Sequence, residues 1–120
     1  MNYAYPPVVR IIFDAHLPQE ATHTITGISR SELLVQLRAL ADETRLRILD
    51  LLLQEGELHA QEIVSRLELA KSSGSRHLSQ LSATGYLTER QGSGKAKCYA
   101  INPERFRETM QFLQRYTHGA

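Results

Sequence analysis

The residues best suited to chemistry lie between Leu69 and Ile101. Lys71, Ser72, Ser73, Ser75, Arg76, Ser79 and Gln80 follow one another with leucines at 78 and 81. The spacing predicts a short helix held to a core by Leu78 and Leu81, with small or flexible hydrogen-bonding side chains on its other face. A guanidinium such as that of Arg76 matches the O6 and N7 acceptors of guanine. Lys71 and Ser72, at the start of the helix, suit a phosphate backbone. A glycine-rich basic segment follows, with Arg90, Lys95 and Lys97 around Gly92-Ser93-Gly94. Lys95 and Lys97 are two residues apart, so a strand projects both from one face. Glycines let such a tip approach a sugar-phosphate chain closely. A groove-sized helix beside a basic ribbon is the layout of a winged helix-turn-helix, and double-stranded DNA is the partner it implies.

The charge distribution agrees. Residues 1–59 hold five Lys/Arg against eight Asp/Glu, whereas residues 60–100 hold six against three. Phosphate neutralisation needs that kind of local excess even when the net charge is only +1. The runner-up is a winged-helix protein-interaction module using the same surface. It is disfavoured because the exposed face carries serine and arginine rather than an aromatic cluster. Catalysis is not expected: no nucleophile elbow, phosphate loop, zinc-hydrolase motif or close acid pair is present, and no cofactor is called for.

The elements that position these groups can be read from caps and breakers. Residues 1–28 form an N-terminal arm, with strand-like VVRIIFD at 8–14 and a possible second strand THTITG at 22–27. The arm is read as a β-hairpin, an extended segment or the remnant of a longer chain. Residues 29–120 form the winged helix-turn-helix domain. Ser31 or Ser29 caps a first helix bearing Leu33, Leu34, Leu37 and Leu40. Asp42 caps a second, with Leu46, Ile48, Leu49, Leu52 and Leu53 facing the core and Gly56 ending it. Glu57–Ala60 is too short to stand alone and is a candidate third strand. A helix over HAQEIVSRLELA turns Ile63, Val64 and Leu67 inward. The next, residues 72–84, is capped by Ser72 and ended by Gly85. Strands at Tyr86–Gln91 and Ala96–Ile101 make the wing. Asn102-Pro103 opens a last helix with Phe106, Met110, Leu113 and Tyr116 on one face. The fold class is therefore mainly α with a small β-wing. The chain of 120 residues is too short for a separate catalytic domain. No apolar run approaches membrane-spanning length, and a single cysteine, Cys98, fits a reducing cytoplasm.

Three blocks of this sequence resemble the arsenic-repressor (ArsR) family of bacterial winged-helix regulators. They are LADETRLRILDLL at 40–52; Leu69, Ser72, Ser75, His77, Leu78, Leu81 and Gly85; and the wing ending in Cys98-Tyr99. The resemblance covers roughly residues 31–116. It implies a homodimer formed through the first and last helices, two recognition helices in successive major grooves, and repression until a signal releases the DNA. It also exposes departures. Where the family carries its E-L-C-x-C thiolate site, this chain has Glu57-Leu58-His59-Ala60-Gln61, so no soft-metal site is expected. The last helix, with Glu104, Glu108 and His118, lacks the spacing of the family's second metal site. His77 is expected to pack between helix and wing, and Cys98 to be a half-buried strand residue without an activating partner. Gly74 stands where the family usually has an aliphatic residue. It implies either closer helix packing or a softer helix.

Overall fold

A computed structural model describes residues 28–94 and 96–118. The N-terminal arm and Lys95 lie outside the described residues, as do the strands expected at 8–14 and 22–27. Among the described residues, eight elements run in the order α1 (Arg30–Leu40), α2 (Glu43–Glu55), β1 (Leu58–His59), α3 (Ala60–Arg66), α4 (Lys71–Ala83), β2 (Leu87–Gln91), β3 (Lys97–Ile101) and α5 (Pro103–Gln114). This is the mainly α fold with a small β-wing that the sequence predicts. Contacts divide it into two compact units, one of residues 35–105 and one whose described part is 28–34 and 106–118.

The helix ends follow local chemistry. At the head of α1, Ser29 Oγ accepts from Glu32 N–H at 3.2 Å, and the Glu32 carboxylate accepts from Ser29 N–H at 3.0 Å. This capping box selects Ser29 over Ser31. Asp42 caps α2 by accepting from Arg45 N–H at 3.0 Å. That bond, with the nearby Arg45 and His77 charges, holds the Asp42 carboxyl below its ordinary range. Gly56 closes the helix at φ 81°, a left-handed value that favours glycine. After α4, Gly85 N–H bonds Ser82 O and Tyr86 N–H bonds Leu81 O, the paired bonds of a Schellman end. Asn102 then ties the start of α5 back to that corner. Its N–H donates to Tyr86 O at 2.9 Å and its side-chain amide to Gly85 O at 2.8 Å.

In the 35–105 unit the core gathers Ile48, Leu49, Leu52, Leu58, Ile63, Leu78, Leu81, Tyr86 and Leu87 with Cys98 and Tyr99 of the sheet, all buried. The sheet order is β1-β3-β2, antiparallel throughout, with Leu58 opposite Tyr99 and Leu87 opposite Ile101. Glu57–Ala60 thus does supply the third strand, through Leu58 and His59.

Several expectations are corrected. Leu46 and Leu53 are 47% and 75% exposed, so only Ile48, Leu49 and Leu52 form the core face of α2. On α1 the buried positions are Leu33, Gln36 and Ala39, while Leu34 is exposed. Gln36 is admitted to the interior because its amide oxygen accepts from Tyr86 OH at 3.4 Å. On α5 the buried residues are Thr109 and Phe112, while Met110 and Leu113 are exposed; the helix ends at Gln114, so Tyr116, also exposed, falls in the turn beyond it rather than on its face. Helix α3 stops at Arg66, where Glu68 takes φ 55° and the chain turns. The recognition helix starts at Lys71, not after Ser72. Gly74 N–H already bonds Ala70 O, which makes Ala70 the cap and leaves Ser72 inside the first turn.

Candidate nucleic-acid interface

Helix α4 divides cleanly into two faces. Gly74, His77, Leu78 and Leu81 are buried, whereas Lys71, Ser72, Ser75, Arg76, Ser79 and Gln80 are exposed and Ser73 is half-buried. Seven of the ten singled-out residues therefore lie on one helix, with Ser72, Arg76, Ser79 and Gln80 on the side away from its leucines and Lys71 and Ser75 at the edge of the cleft that Leu78 also lines. Ala70 has no side chain to accept from the first-turn N–H groups, so the positive end of the helix dipole carries no side-chain cap.

Close packing fixes where that helix sits. A Cβ at Gly74 would lie 2.6 Å from Val64 Cγ2, so glycine lets α3 and α4 approach more tightly than any other residue allows. This decides between the two readings of Gly74 in favour of packing. Between α3, α4 and β3 opens a cleft of about 620 Å³ lined by Gln61, Ser65, Lys71, Ser75, Lys97 and Tyr99 among others. Two lysines from different elements thus share one concavity. Burial, together with the Glu89 charge, pushes the Tyr99 hydroxyl up from its ordinary pKa.

Between the wing strands Gly92 N–H donates to Ala96 O at 2.7 Å and Gly94 takes φ 67°. Its cations have protein partners. Arg90 binds Glu57 through two bonds, Nε–Oε2 at 2.7 Å and Nη2–Oε1 at 2.8 Å. The pair lowers the Glu57 pKa and raises that of Arg90, chiefly through those hydrogen bonds. Lys97 Nζ lies 3.3 Å from Glu89.

Three contacts are not evident from the sequence. His77 does not face the wing: its Nδ1 lies 3.1 Å from Arg45 Nη1 and 3.8 Å from Asp42 Oδ2, at the start of α2. Arg45 is therefore central to this face, although its place in the LADETRLRILDLL block marked it only as part of a helix. Cys98, expected half-buried and alone, is buried with Sγ 3.2 Å from His59 Nδ1. A Cβ at Gly92 would lie 2.7 Å from that sulfur, so glycine is needed beside it. The register of the third strand, which sets His59 opposite Cys98, was the signal that could have found this pair. Among the described residues no group of three or more His, Cys, Asp or Glu side chains is arranged to hold a metal ion. No helix among them is long and apolar enough to cross a membrane.

Comparison with known proteins places this architecture. The sequence profile of the bacterial regulatory protein arsR family matches residues 42–89, from the α2 cap into the wing. The chain is 36% identical over 81 residues to the transcriptional activator HlyU of Vibrio cholerae, spanning 68% of this chain and 73% of that protein. It is 40% identical over 70 residues to the arsenic resistance transcriptional regulator ArsR1 of Pseudomonas putida, spanning 58% of this chain and about half, 54%, of that relative. The solved structure of Vibrio cholerae HlyU superposes with a TM-score of 0.56 at 34% identity, covering 73% of this chain and 92% of that one. An ArsR-like transcriptional regulator from Rhodococcus gives 0.65 at 26% identity, covering 72% and 80%. On these matches the chain belongs to the arsR family of bacterial regulatory proteins.

Proposed function

We propose that the protein is a sequence-specific DNA-binding transcriptional regulator that acts as a homodimer. The observation that carries this reading is the exposed serine, arginine and glutamine face of α4, held by buried Leu78 and Leu81 beside a cleft rimmed by Lys71 and Lys97. In this reading α4 enters a major groove. Arg76 reads a base edge, Ser73, Ser75, Ser79 and Gln80 add polar contacts, and Lys71 and Ser72 hold phosphate. Arg90, Lys95 and Lys97 of the wing follow the backbone, Arg90 and Lys97 exchanging carboxylate partners for phosphate. Residues 29–120 make up the DNA-binding domain and residues 1–28 an arm outside it.

Dimerisation through α1 and α5 is supported by large apolar side chains left exposed on or just after each: Leu34 and Val35 on the first, Met110 and Leu113 on the second, and Tyr116 in the turn that follows it. A two-fold dimer reads a near-palindromic site. In this reading the bound site overlaps the promoter and its occupancy blocks transcription, which makes the regulator a repressor. No enzymatic step, resident metal or cofactor enters this reading.

Selection of bound duplexes from a random pool tests it. An inverted repeat among the retained sequences is the expected outcome. A pool that stays random, or no retention even at low salt, would instead favour a protein-interaction module. A promoter fusion to the selected site then gives the sign of regulation: expression falls when the protein is supplied if it represses.

A further inference from the structure

Gln80 and Arg76 stand on one stripe of α4, with Ser73 a turn before them (positions 73, 76 and 80), so what Gln80 presents outward matters to any ligand of that face. Its amide is not free to turn. Arg45, in the first turn of α2, extends its guanidinium between two helices. Nε donates to Ala39 O at 2.5 Å and Nη2 to Arg38 O at 3.3 Å, both carbonyls in the last turn of α1. Nη1 reaches α4, lying 3.1 Å from His77 Nδ1 and 3.3 Å from Gln80 Oε1. A guanidinium carries donors only. The Gln80 oxygen must therefore face Arg45, and the amino group is the end that remains for solvent. The guanidinium is held on its other sides by buried His77 and by the two α1 carbonyls.

We propose that Arg45 is a positioning residue that sets the hydrogen-bonding sense of Gln80, which thereby presents donors to an acceptor atom on duplex DNA. This rests on the regulator reading above. It goes further by naming the chemistry at one position of the recognition face. Glutamine recognises adenine with both ends of its amide, accepting from N6 and donating to N7. With its oxygen held by Arg45, Gln80 is left the donor half, suited to guanine O6, thymine O4 or a phosphate oxygen, or to purine N7 without discrimination between adenine and guanine. Arg45 thus connects the end of α1 to the specificity of α4 without touching DNA itself.

The test uses the full chain and a duplex selected by the wild-type protein, with affinity measured by fluorescence anisotropy. Gln80→Met keeps the length of the side chain and removes its donors. It should weaken binding about threefold to tenfold, the worth of one hydrogen bond. Repeating the selection with this variant separates the two sources of acceptor. Loss of preference for guanine, for thymine or for purines without distinction at one position in each half-site marks a base contact, and uniform weakening with an unchanged consensus marks a phosphate. Arg45→Lys replaces the fork with a point charge and should cause a comparable loss. In the Gln80→Met background it should add almost nothing, because both changes remove the same contact. Multiplicative losses would reduce Arg45 to a general structural role and overturn the proposal. So would unchanged binding by Gln80→Met, or an adenine preference that disappears with it. If Arg45→Lys does not fold, the Gln80→Met affinity and consensus decide alone. If the wild-type chain retains no duplex, the regulator reading fails first, so the two failures are distinguishable.

Discussion

Substituting alanine for Gly74 sets two opposed effects against each other. In an exposed helix interior, replacing glycine by alanine stabilises by about 1 kcal/mol. Here the added methyl would lie 2.6 Å from Val64 Cγ2, where carbon atoms prefer about 3.5–4.0 Å. Roughly 1 Å of overlap must be relieved between two packed helices, and overpacking of that kind costs about 1–3 kcal/mol. Gly74→Ala should therefore destabilise by about 1 kcal/mol net, taking the middle of the overpacking range and subtracting the propensity gain. Val64→Ala removes the clashing carbon. In that background the same Gly74→Ala change should stabilise by up to about 1 kcal/mol, because the other neighbours, Leu69 Cδ1 at 3.7 Å and Val64 Cβ at 3.8 Å, are at ordinary contact distance. Urea unfolding of the four proteins at one fixed protomer concentration reads both numbers, and the coupling between them should be about 2 kcal/mol. A Gly74→Ala protein more stable than wild type, or equal effects in both backgrounds, would refute the close approach of α3 and α4.

Other expected outcomes test separate parts of the account. Arg76→Ala should weaken specific binding by about 1–3 kcal/mol and relax preference at one base position, read by a repeated duplex selection. Glu57→Gln releases Arg90 from its carboxylate, so duplex binding should tighten at low salt and its salt dependence steepen; an unchanged slope would show that Arg90 stays away from phosphate. Asp42→Ala should cost about 1 kcal/mol as a lost helix cap. Its carboxyl is held below the ordinary value, so its contribution is present above the unfolded-state pKa and is lost as pH falls through the folded one. Acid titration of stability below about pH 4 should accordingly be shallower in the variant. Met110→Glu places a charge on the exposed apolar side of α5 and should shift sedimentation toward the monomer; an unaltered dimer would exclude that face.

The parts of this fold that were legible in the sequence are those whose signal is local. Asp42, Gly56, Gly85 and Pro103 mark helix ends because a cap or a left-handed residue acts within one turn, and the two-residue strand at Leu58–His59 follows from being too short for anything else. The polar face of α4 was legible for the same reason, since Leu78 and Leu81 define its opposite. Periodicity failed where it was asked how much of an apolar stripe the chain itself covers. Leu46, Leu53 and Met110 keep helical spacing with buried neighbours yet are exposed, while Gln36 and Thr109 are buried. The start of α4 was misplaced because Ser72 is a strong capping residue and Ala70 a weak one; the turn that closes on Ala70 overrode that preference. The long-range partners His77 of Arg45, Glu57 of Arg90 and His59 of Cys98 lie 32, 33 and 39 residues away; packing sets the first two and the register of β1 on β3 the third. Those pairs changed the picture of the site most, since they define which cations on the wing are already engaged and which end of Gln80 faces outward.

In the reading proposed above, the exposed face of α4 and the adjacent wing together bind duplex DNA. The most direct measurement is an anisotropy titration of the chain against its selected duplex and a shuffled duplex of the same composition, at two salt concentrations. Both should bind more weakly at the higher salt, with the selected duplex preferred at each. Absence of binding to either duplex at the lower salt, or equal affinity for both, would contradict the account.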